Sequence, residues 1–215
     1  MVIEKPTRTG YTFNGWNITG MDTNAHKGWS DVQGKTLTSN NASESNISAF
    51  GKECTVYYNL RASSGTVNFA AAWTEKTATL SFNMLGGSGG PSAITMKYTT
   101  ATTIPAASTW PTSTGYACIG WATSEARAKN GNVDYTAGAT YKAANVVPTA
   151  ATLYAVWRST VSYNANNGTG APAAAYMYYT PAFTISTTQP TRTGYTFDHW
   201  NTAADDSGTS FSSGA

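Results

Sequence analysis

The chain has 215 residues, of which 40% are hydrophobic and 13% are aromatic, so it contains enough apolar material for packed cores. Charged residues make up only 11%, less than half of the roughly 25% that is usual in soluble domains. The net charge is +2 without a basic run, which leaves no electrostatic footprint for nucleic-acid binding. No stretch has the roughly 18 apolar residues of a membrane span.

The polarity of the sequence comes from Thr, Ser, Asn and Gly rather than from charged side chains. This composition is typical of secreted β-rich surface proteins, so we expect an extracellular location at a cell surface. Residues 1–6 lack the apolar segment of a signal peptide, and we expect the signal and the anchor to lie outside this sequence. The two cysteines, Cys54 and Cys118, fall in different parts of the chain and are expected to be buried free thiols.

One motif recurs three times along the chain. It reads PTRTGYTFNGW at 6–16, PTSTGYACIGW at 111–121 and PTRTGYTFDHW at 190–200. All three copies share the Pro, the Gly-Tyr pair and the Trp at the same positions. A motif that recurs in this way predicts a tandem array of small units.

Further strands flank the motif in a constant order. Alternation of large and small residues predicts strands at 67–73, 78–83, 151–157 and 160–164. The second and the fourth of these strands lead into glycine-rich turns, which predicts that each opens a β-hairpin.

Two segments between these strands have other predicted structures. The polar run 38–46 reads as a surface loop. The second half of 135–146 is predicted to form a short helix.

The order of these elements divides the chain into three units. The unit 76–158 has an opening hairpin, the motif strand, a variable segment and a closing strand, and is complete. The unit 1–75 has the motif and a closing strand but no opening hairpin. The unit 159–215 has the hairpin and the motif but no closing strand. The two outer units therefore lack complementary parts.

This arrangement resembles the Listeria–Bacteroides repeat, the internalin B-repeat type of bacterial surface module. The resemblance rests on P-x-R-x-G-Y-x-F-x-x-W, on the preceding hairpin and on the closing L-Y-A-x-W strand, and it covers nearly the whole chain. The middle copy departs from the pattern at 117–119, and His199 stands where Gly is usual. The resemblance implies a mainly β (α+β) fold, with tandem small β-grasp-like modules and short helical or irregular crossings. It also implies a stalk, spacer or adhesin role.

The residue types of the motif have physical roles. Glycine allows a backbone turn that a Cβ would block, and Gly10, Gly115 and Gly194 hold this position. A Tyr and a Phe two positions apart lie on one face of a strand, and a bulge at Asn14-Gly15 or at Gly120 would redirect the Trp that follows. We expect these aromatic residues to form each module's core, worth roughly 1.5–3 kcal/mol apiece: Tyr11, Phe13, Trp16, Tyr116, Trp121, Tyr195, Phe197 and Trp200.

A carbohydrate-stacking platform is the alternative role for aromatic residues in this sequence. Tyr176, Tyr178 and Tyr179 are the better candidates for exposed glycan contacts, because their alanine-rich neighbours offer little cover. The motif aromatics recur in every copy, and this favours a structural role for them.

The sequence contains no constellation of catalytic or metal-binding residues. His26 and His199 have no Cys or His partner at metal-ligand spacing, and Asp198 beside His199 would point to the opposite face of a strand. Asp205-Asp206 lacks the alternating ligands of a calcium loop. The glycines at 86–90 are not followed by the Lys-Ser or Lys-Thr of a phosphate loop. We therefore expect no enzymatic activity, no metal and no cofactor.

Three functions remain open at this point: a structural or adhesive surface module, a glycan-binding module, and an enzyme fragment, which has the least support. The complementary outer units further suggest self-association, because a closing strand from a neighbouring chain would complete the unit 159–215 in a head-to-tail contact. The alternative is that the sequence is cut without regard to repeat edges. A host or cell-surface protein or a glycan is the other expected partner.

Overall fold

The computed structural model describes residues 2–4, 6–19, 29–31, 36–37, 53–55 and 68–215. Side chains are described within 6–15 and 70–215. The regular secondary structure of the described part is almost entirely β-strand, which confirms the predicted mainly β fold. The predicted loop 38–46, His26 and the side chains of Trp16 and Cys54 lie outside the described residues.

The elements are named in chain order. The strands are β1 (Val2–Glu4), β2 (Tyr11–Thr19), β3 (Trp29–Asp31), β4 (Thr36–Leu37), β5 (Glu53–Thr55), β6 (Asn68–Glu75), β7 (Thr77–Asn83), β8 (Ile94–Lys97), β9 (Thr102–Thr103), β10 (Ala117–Ala122), β11 (Thr140–Lys142), β12 (Ala151–Val161), β13 (Ala175–Met177), β14 (Trp200–Asn201) and β15 (Ser210–Phe211). The α-helix is α1 (Glu125–Lys129), and a 3₁₀ turn spans Ala107–Thr109.

The chain forms two compact units that differ from the three sequence copies. The first unit comprises Met1–Ala78, Thr95–Thr102 and Lys142–Thr149. The second comprises Thr79–Ile94, Thr103–Tyr141 and Ala150–Ala215. Copies and compact units are different divisions of the chain, so the boundaries 1–75, 76–158 and 159–215 stay a prediction.

The first unit contains the motif strand and the closing strand of the first copy. β2 and β6 pair in an antiparallel ribbon from Tyr11↔Glu75 to Thr19↔Asn68. Another sheet has the strand order β1-β5-β3-β4. The rings of Phe13 and Trp73 meet edge-on across the ribbon, with centroids 5.4 Å apart.

A five-stranded sheet carries the middle copy. Its strand order is β10-β12-β7-β8, and β13 also pairs with β12. β12 runs antiparallel to the motif strand β10 and parallel to β7, where Ala151 lies opposite Leu80. β7 and β8 are neighbours joined through a turn in which Gly87 N–H donates to Met84 O at 3.1 Å. The predicted hairpin of this copy is confirmed.

The core of the second unit forms around Trp121, which has no exposed surface. Phe82 meets its ring edge-on at 4.8 Å between centroids, and Trp110 does so at 6.2 Å. Other large side chains that are fully buried in this unit are Leu80, Ile104, Leu153 and Val156. Burial of each such side chain contributes about 1.5–3 kcal/mol.

Glycine bulges occur in the motif strands as the sequence predicts. The register shifts between Phe13 and Gly15 in β2, and between Cys118 and Gly120 in β10. A Cβ on Gly120 would lie 2.4 Å from Val133 Cγ1, so the bulge requires glycine here. The shift lets Trp121 point into the core. His199 replaces this glycine in the third copy.

β12 is one continuous strand where the sequence predicts two. Residues 160 and 161 belong to β12, and 162–164 do not form a strand, so the prediction of a separate strand at 160–164 is wrong. The last part of β12 pairs antiparallel with β13, with Val161 opposite Ala175. The strand that closes the middle copy therefore also opens the hairpin of the third.

The helix lies at a different place from the predicted one. The second half of 135–146 contains β11 instead, and Asn145 has a positive φ of 61° that ends any helix. α1 forms earlier because the Ser124 side chain caps its N-terminus by accepting from Arg127 N–H at 3.3 Å. Glu125 and Lys129 then form an i,i+4 ion pair at 2.7 Å.

The third copy repeats the framework of the middle copy up to its last residue. Ile185 exchanges backbone hydrogen bonds with Gly214 and Ala215, as Ile104 does with Gly138 and Ala139. Tyr163 meets Trp200 edge-on at 4.9 Å, like the pair of Phe82 and Trp121. Residues 159–215 are thus counterparts of 76–139 and contain no equivalent of β11 or of the first part of β12.

Candidate functional site at the joints between copies

Exposed aromatic side chains are the candidate contacts in this molecule. Within the side chains that the structure describes, no three His, Cys, Asp or Glu residues could hold a metal ion together. Among the described residues, no helix has the length and apolar character needed to cross a membrane. The exposed aromatic residues lie on hairpins and motif turns, and are Tyr116, Tyr176, Tyr179, Tyr195 and Phe211.

In the first unit, Tyr98 joins the second copy to the first. Its ring lies so close over Gly10 that a Cβ there would come within 2.2–2.4 Å of three ring atoms. Tyr11 meets the same ring edge-on, with centroids 5.8 Å apart. The Arg8 guanidinium carbon lies 3.8 Å from the centroid of the Tyr11 ring. Glycine is required for this contact and for its own φ of +79°.

Hydrogen bonds fix the backbone around Tyr98. Its N–H donates to Lys76 O at 3.2 Å, and its carbonyl accepts from Asn145 N–H at 2.8 Å. The N–H and the hydroxyl of Thr99 donate to the Glu75 carboxylate at 2.6 and 2.5 Å. These two bonds stabilise the ionised carboxylate and lower the pKa of Glu75.

In the second unit, Tyr179 holds the position equivalent to Tyr98 but makes different contacts. It is 79% exposed, and its ring centroid lies 4.9 Å from Lys129 Nζ. Thr180 N–H donates to Lys129 O at 3.0 Å. The preceding Tyr178 covers Gly131, where a Cβ would come 2.4 Å from the ring. The hairpin of the third copy therefore docks on the end of α1.

The three predicted glycan-contact residues differ in exposure and contact different residues. Tyr176 is 47% exposed, and the Arg158 guanidinium carbon lies 3.9 Å from its ring centroid. Tyr178 is half-buried against Gly131, and Tyr179 is the most exposed of the three. A role of Tyr176 and Tyr179 in glycan binding stays a prediction.

A shallow cleft opens beside Tyr179 in the second unit. Its volume is about 260 Å³, close to the lower end of small-ligand pockets. It combines two aromatic side chains with an ion pair. The lining residues are Leu85, Gly86, Glu125, Ala128, Lys129, Ala155, Trp157 and Tyr179.

An ion pair holds α1 against the following loop. Asp134 accepts from Arg127 through both carboxylate oxygens, and from the N–H and hydroxyl of Thr123 at 2.8 Å each. The Arg127 guanidinium is the main cause that lowers the pKa of Asp134 to about 2. Asp134, which follows α1, therefore binds both the helix and Thr123 before it, and this fixes the helix on which the third copy's hairpin packs.

The motif tyrosines of two copies are exposed, contrary to the expectation of burial. Tyr116 is 52% exposed and Tyr195 is 66% exposed, whereas Tyr11 is half-buried. The reason is that Tyr98 covers the turn of the first copy, whereas no side chain in the described part of the chain covers the glycine of the other two turns. Phe13, Phe197 and Trp200 are half-buried, and Trp121 is fully buried.

His199 is held between two carboxylates, which the sequence did not indicate. Its Nδ1 lies 2.9 Å from Asp198 Oδ2, so the expectation that these side chains point to opposite faces is wrong. The backbone at 199 is not part of a regular strand, and this removes the alternation. Nε2 lies 2.7 Å from Asp206 Oδ1, and Asp206 and Asp198 together raise the pKa of His199. Because carboxylates occupy both ring nitrogens, the arrangement suits a turn-stabilising contact rather than a general base.

Cys118 is a free thiol and is only half-buried, so the expected complete burial is not reached. Its Sγ donates to Gly120 O at 3.7 Å within the bulge. Burial raises the pKa of the thiol, which disfavours the reactive thiolate. Cys118 therefore behaves as a small packing residue of β10.

Two features of the joints escaped the sequence analysis. The arginine at the third motif position covers the motif tyrosine in two copies, as Arg8 over Tyr11 and Arg192 over Tyr195. Its replacement by Ser113 in the middle copy was visible in the sequence and marks the exception. The contact of Lys129 with Tyr179 had no sequence signal, because it joins distant segments.

Comparison with known families gives a single match. The model of the Listeria-Bacteroides repeat domain matches residues 1–42, 79–156 and 160–215. The matches cover most of the chain and agree with about three tandem copies, of which the outer two are incomplete. No curated protein and no solved structure is significantly similar to this chain.

Proposed function

This chain belongs to the Listeria-Bacteroides repeat domain family, and from that premise we propose that it is a structural spacer of a cell-surface protein. The family is one of surface-associated repeat modules. Within that class, a spacer must hold successive copies in a fixed arrangement. It needs no catalytic residues and no cofactor.

The shared strand β12 is the observation that supports a spacer. Its residues 154–158 pair with β10 of the middle copy, and its residues 159–161 pair with β13 of the third copy. Ladder hydrogen bonds on both sides of the boundary restrict bending of the backbone there. The two copies therefore share a stiff joint instead of a flexible linker.

An insertion experiment tests the stiffness of this joint. Two glycines inserted between Arg158 and Ser159 interrupt the shared strand, and the same insertion between Gly170 and Ala171 in an exposed loop is the matched control. Small-angle scattering should show a broader distribution of dimensions for the first variant alone. Equal distributions for both variants would argue against a spacer function.

The third copy offers a position for a closing strand. In the middle copy, the first part of β12 lies between β7 and β10. In the third copy the last part of β12 stands for β7 and β14 stands for the end of β10, and no strand lies between them within 159–215. We propose that β6 of a neighbouring molecule pairs with the third copy through the edge that β2 leaves free, because β6 pairs with β2 alone within the described residues. This head-to-tail contact is heterologous and would extend a fibre.

Sedimentation velocity over a range of concentrations tests the assembly. The chain of 215 residues should associate as its concentration rises. Appending residues 140–158 after Ala215 supplies the closing strand within the molecule and should keep it monomeric, while a scrambled 140–158 should not. A monodisperse monomer of the original chain at high concentration would rule out head-to-tail assembly.

Carbohydrate binding is the second candidate function, and the cleft beside Tyr179 favours it. Tyr179 and Trp157 line this cleft together with the ion pair of Glu125 and Lys129. Aromatic faces and charged groups in one shallow cleft suit a sugar ring, which has apolar faces and a hydroxyl rim.

A glycan array compares the original chain with Tyr179→Ala and with the control Tyr195→Ala, whose side chain lies outside the cleft. Binding that is lost only in Tyr179→Ala supports a glycan site. An array without hits for the original chain would eliminate this candidate.

A further inference from the structure

The three copies share one local structure, which we term the glycine–tyrosine turn: residues 8–11, 113–116 and 192–195. In each turn, the tyrosine N–H donates to the carbonyl three residues earlier, at 3.1, 3.2 and 3.1 Å respectively. The glycine before the tyrosine has a φ of +79°, +77° and +81°. The backbone of the turn is therefore the same whether or not another side chain covers it.

Only the turn 8–11 is covered by a tyrosine in the described part of the chain. There the Tyr98 ring lies on Gly10 and meets Tyr11 edge-on. Tyr98 follows the hairpin strand of the next copy, so the contact links two successive repeats. The aromatic pair and the cation over Tyr11 both stabilise this contact beyond the burial of apolar surface.

The turn 192–195 has the same chemical features and is open. The Arg192 guanidinium carbon lies 4.0 Å from the Tyr195 ring centroid, which matches the 3.8 Å of Arg8 over Tyr11. Apart from Gly194 and its two chain neighbours, no atom of the described residues lies within 4 Å of the position that a Cβ on Gly194 would take. Tyr195 is 66% exposed. The arginine, the bare glycine and the aromatic ring are thus arranged as in the covered turn.

We propose that the turn 192–195 is a docking site for the hairpin tyrosine of a further repeat unit of this family. This inference rests on the proposed function as a structural spacer built from tandem repeats. The partner is defined by the contact inside this chain, where Tyr98 and Thr99 follow a short hairpin strand and a carboxylate fixes their backbone. The ring of such a tyrosine would lie on Gly194 and meet Tyr195 edge-on.

The turn 113–116 differs from the other two turns. Ser113 stands in place of the arginine, and no cationic side chain of the described residues lies over the Tyr116 ring. The hairpin tyrosine of the following copy is Tyr179, and it contacts Lys129 instead. Copies with the arginine are the ones that present a complete docking site.

An extended chain tests the proposal directly. Copies of residues 140–158 and then 75–104 are appended after Ala215, so that a closing strand and a hairpin with its tyrosine follow the third copy in repeat register. The rate of nitration of Tyr195 by tetranitromethane is measured by peptide mass spectrometry in dilute solution. We expect this rate to fall severalfold relative to a chain extended by 140–158 alone.

Two controls make the result specific. Tyr98→Ala within the appended segment should restore the nitration rate of Tyr195. Tyr116 is an internal reference, and its rate should be the same in all these chains. In addition, Gly194→Ala should lower the denaturation midpoint of the extended chain more than that of the original chain, whereas Gly115→Ala should lower both equally.

Equal nitration rates of Tyr195 with and without the appended tyrosine would overturn the proposal, whether or not the appended hairpin folds. A slower rate that persists after Tyr98→Ala in the appended segment would also overturn it, because the protection would then come from other residues. The self-association experiment above uses the chain without an extension. Failure of head-to-tail assembly is therefore distinguishable from failure of this docking site.

Discussion

The joints on either side of the middle copy use equivalent tyrosines in different ways. Tyr98 is packed on the glycine–tyrosine turn 8–11, with Thr99 bound to the Glu75 carboxylate. Tyr179 is 79% exposed beside Lys129 of α1. The counterparts of Arg8 and Glu75 at the second joint are Ser113 and Ser159. Two charged side chains therefore distinguish the closed joint from the open one.

The invariant residues of the motif therefore determine the structure of each module, while its variable third position and residues outside the motif determine the joints. The backbone of the turn is the same in all three copies. The covered turn 8–11 has both a cation over its tyrosine and a carboxylate bound to the hairpin that covers it. The joint after the middle copy has Ser113 and Ser159 at the two equivalent positions. Substitutions at these positions should interconvert the two kinds of joint.

The largest expected effect comes from the core on which the second joint depends. Trp121→Ala should lower the free energy of unfolding by about 3–5 kcal/mol, because it leaves a large cavity among fully buried side chains. Trp200→Ala, in the half-buried equivalent position, should cost about 2 kcal/mol. Urea unfolding followed by circular dichroism measures both. Similar losses would mean that the third copy is as well packed as the middle one.

Gly10→Ala should break the closed joint. A Cβ there meets the Tyr98 ring at 2.2–2.4 Å and strains a φ of +79°, so we expect a loss of about 3 kcal/mol. Gly115→Ala meets only the strain of φ and should cost about 1 kcal/mol. If the two variants have the same stability, Tyr98 does not hold the first joint.

Asp134→Asn should loosen α1 beneath the open joint. The ion pair with Arg127 and the hydrogen bonds from Thr123 stabilise the ionised carboxylate in the folded state. The folded pKa of about 2 lies below the unfolded value of 3.8, so this stability is present above pH 4 and lost as the pH falls towards 2. Between pH 2 and 7, the melting temperature of the original chain should therefore change more with pH than that of the variant. Parallel pH profiles would contradict this assignment.

Ser113→Arg is the smallest change and should make the middle turn resemble the outer two. An arginine over the exposed Tyr116 ring contributes about 0.5 kcal/mol. A double-mutant cycle with Tyr116→Ala measures this coupling in the free energy of unfolding. A coupling energy of zero would show that the arginine does not recognise the ring in this copy.

The local pattern was sufficient to predict the modules. Gly10, Gly115 and Gly194 lie in the predicted turns with positive φ, and the bulges at Gly15 and Gly120 are where the sequence places them. Such features depend on the absence of a Cβ at a given residue, which a sequence states directly. The helix was misplaced because the sequence signals of α1 are weak: one serine cap and one short ion pair.

Contacts between distant segments could not be predicted in the same way. The covering of Gly10 by Tyr98, the cleft beside Tyr179 and the histidine held by Asp198 and Asp206 each join residues with no common pattern in the sequence. The exposure of Tyr116 and Tyr195 follows from the absence of such a cover in the described part of the chain.

The sequence by itself determined the repeat family, the mainly β fold and the conformation of each glycine–tyrosine turn. Only the tertiary structure decided which turn is covered, which tyrosines are exposed, and that β12 serves two copies as one strand. The physical reason is that backbone conformation and strand patterning are set by neighbouring residues. Which side chain packs on a turn depends instead on the hairpin that the tertiary fold places against it.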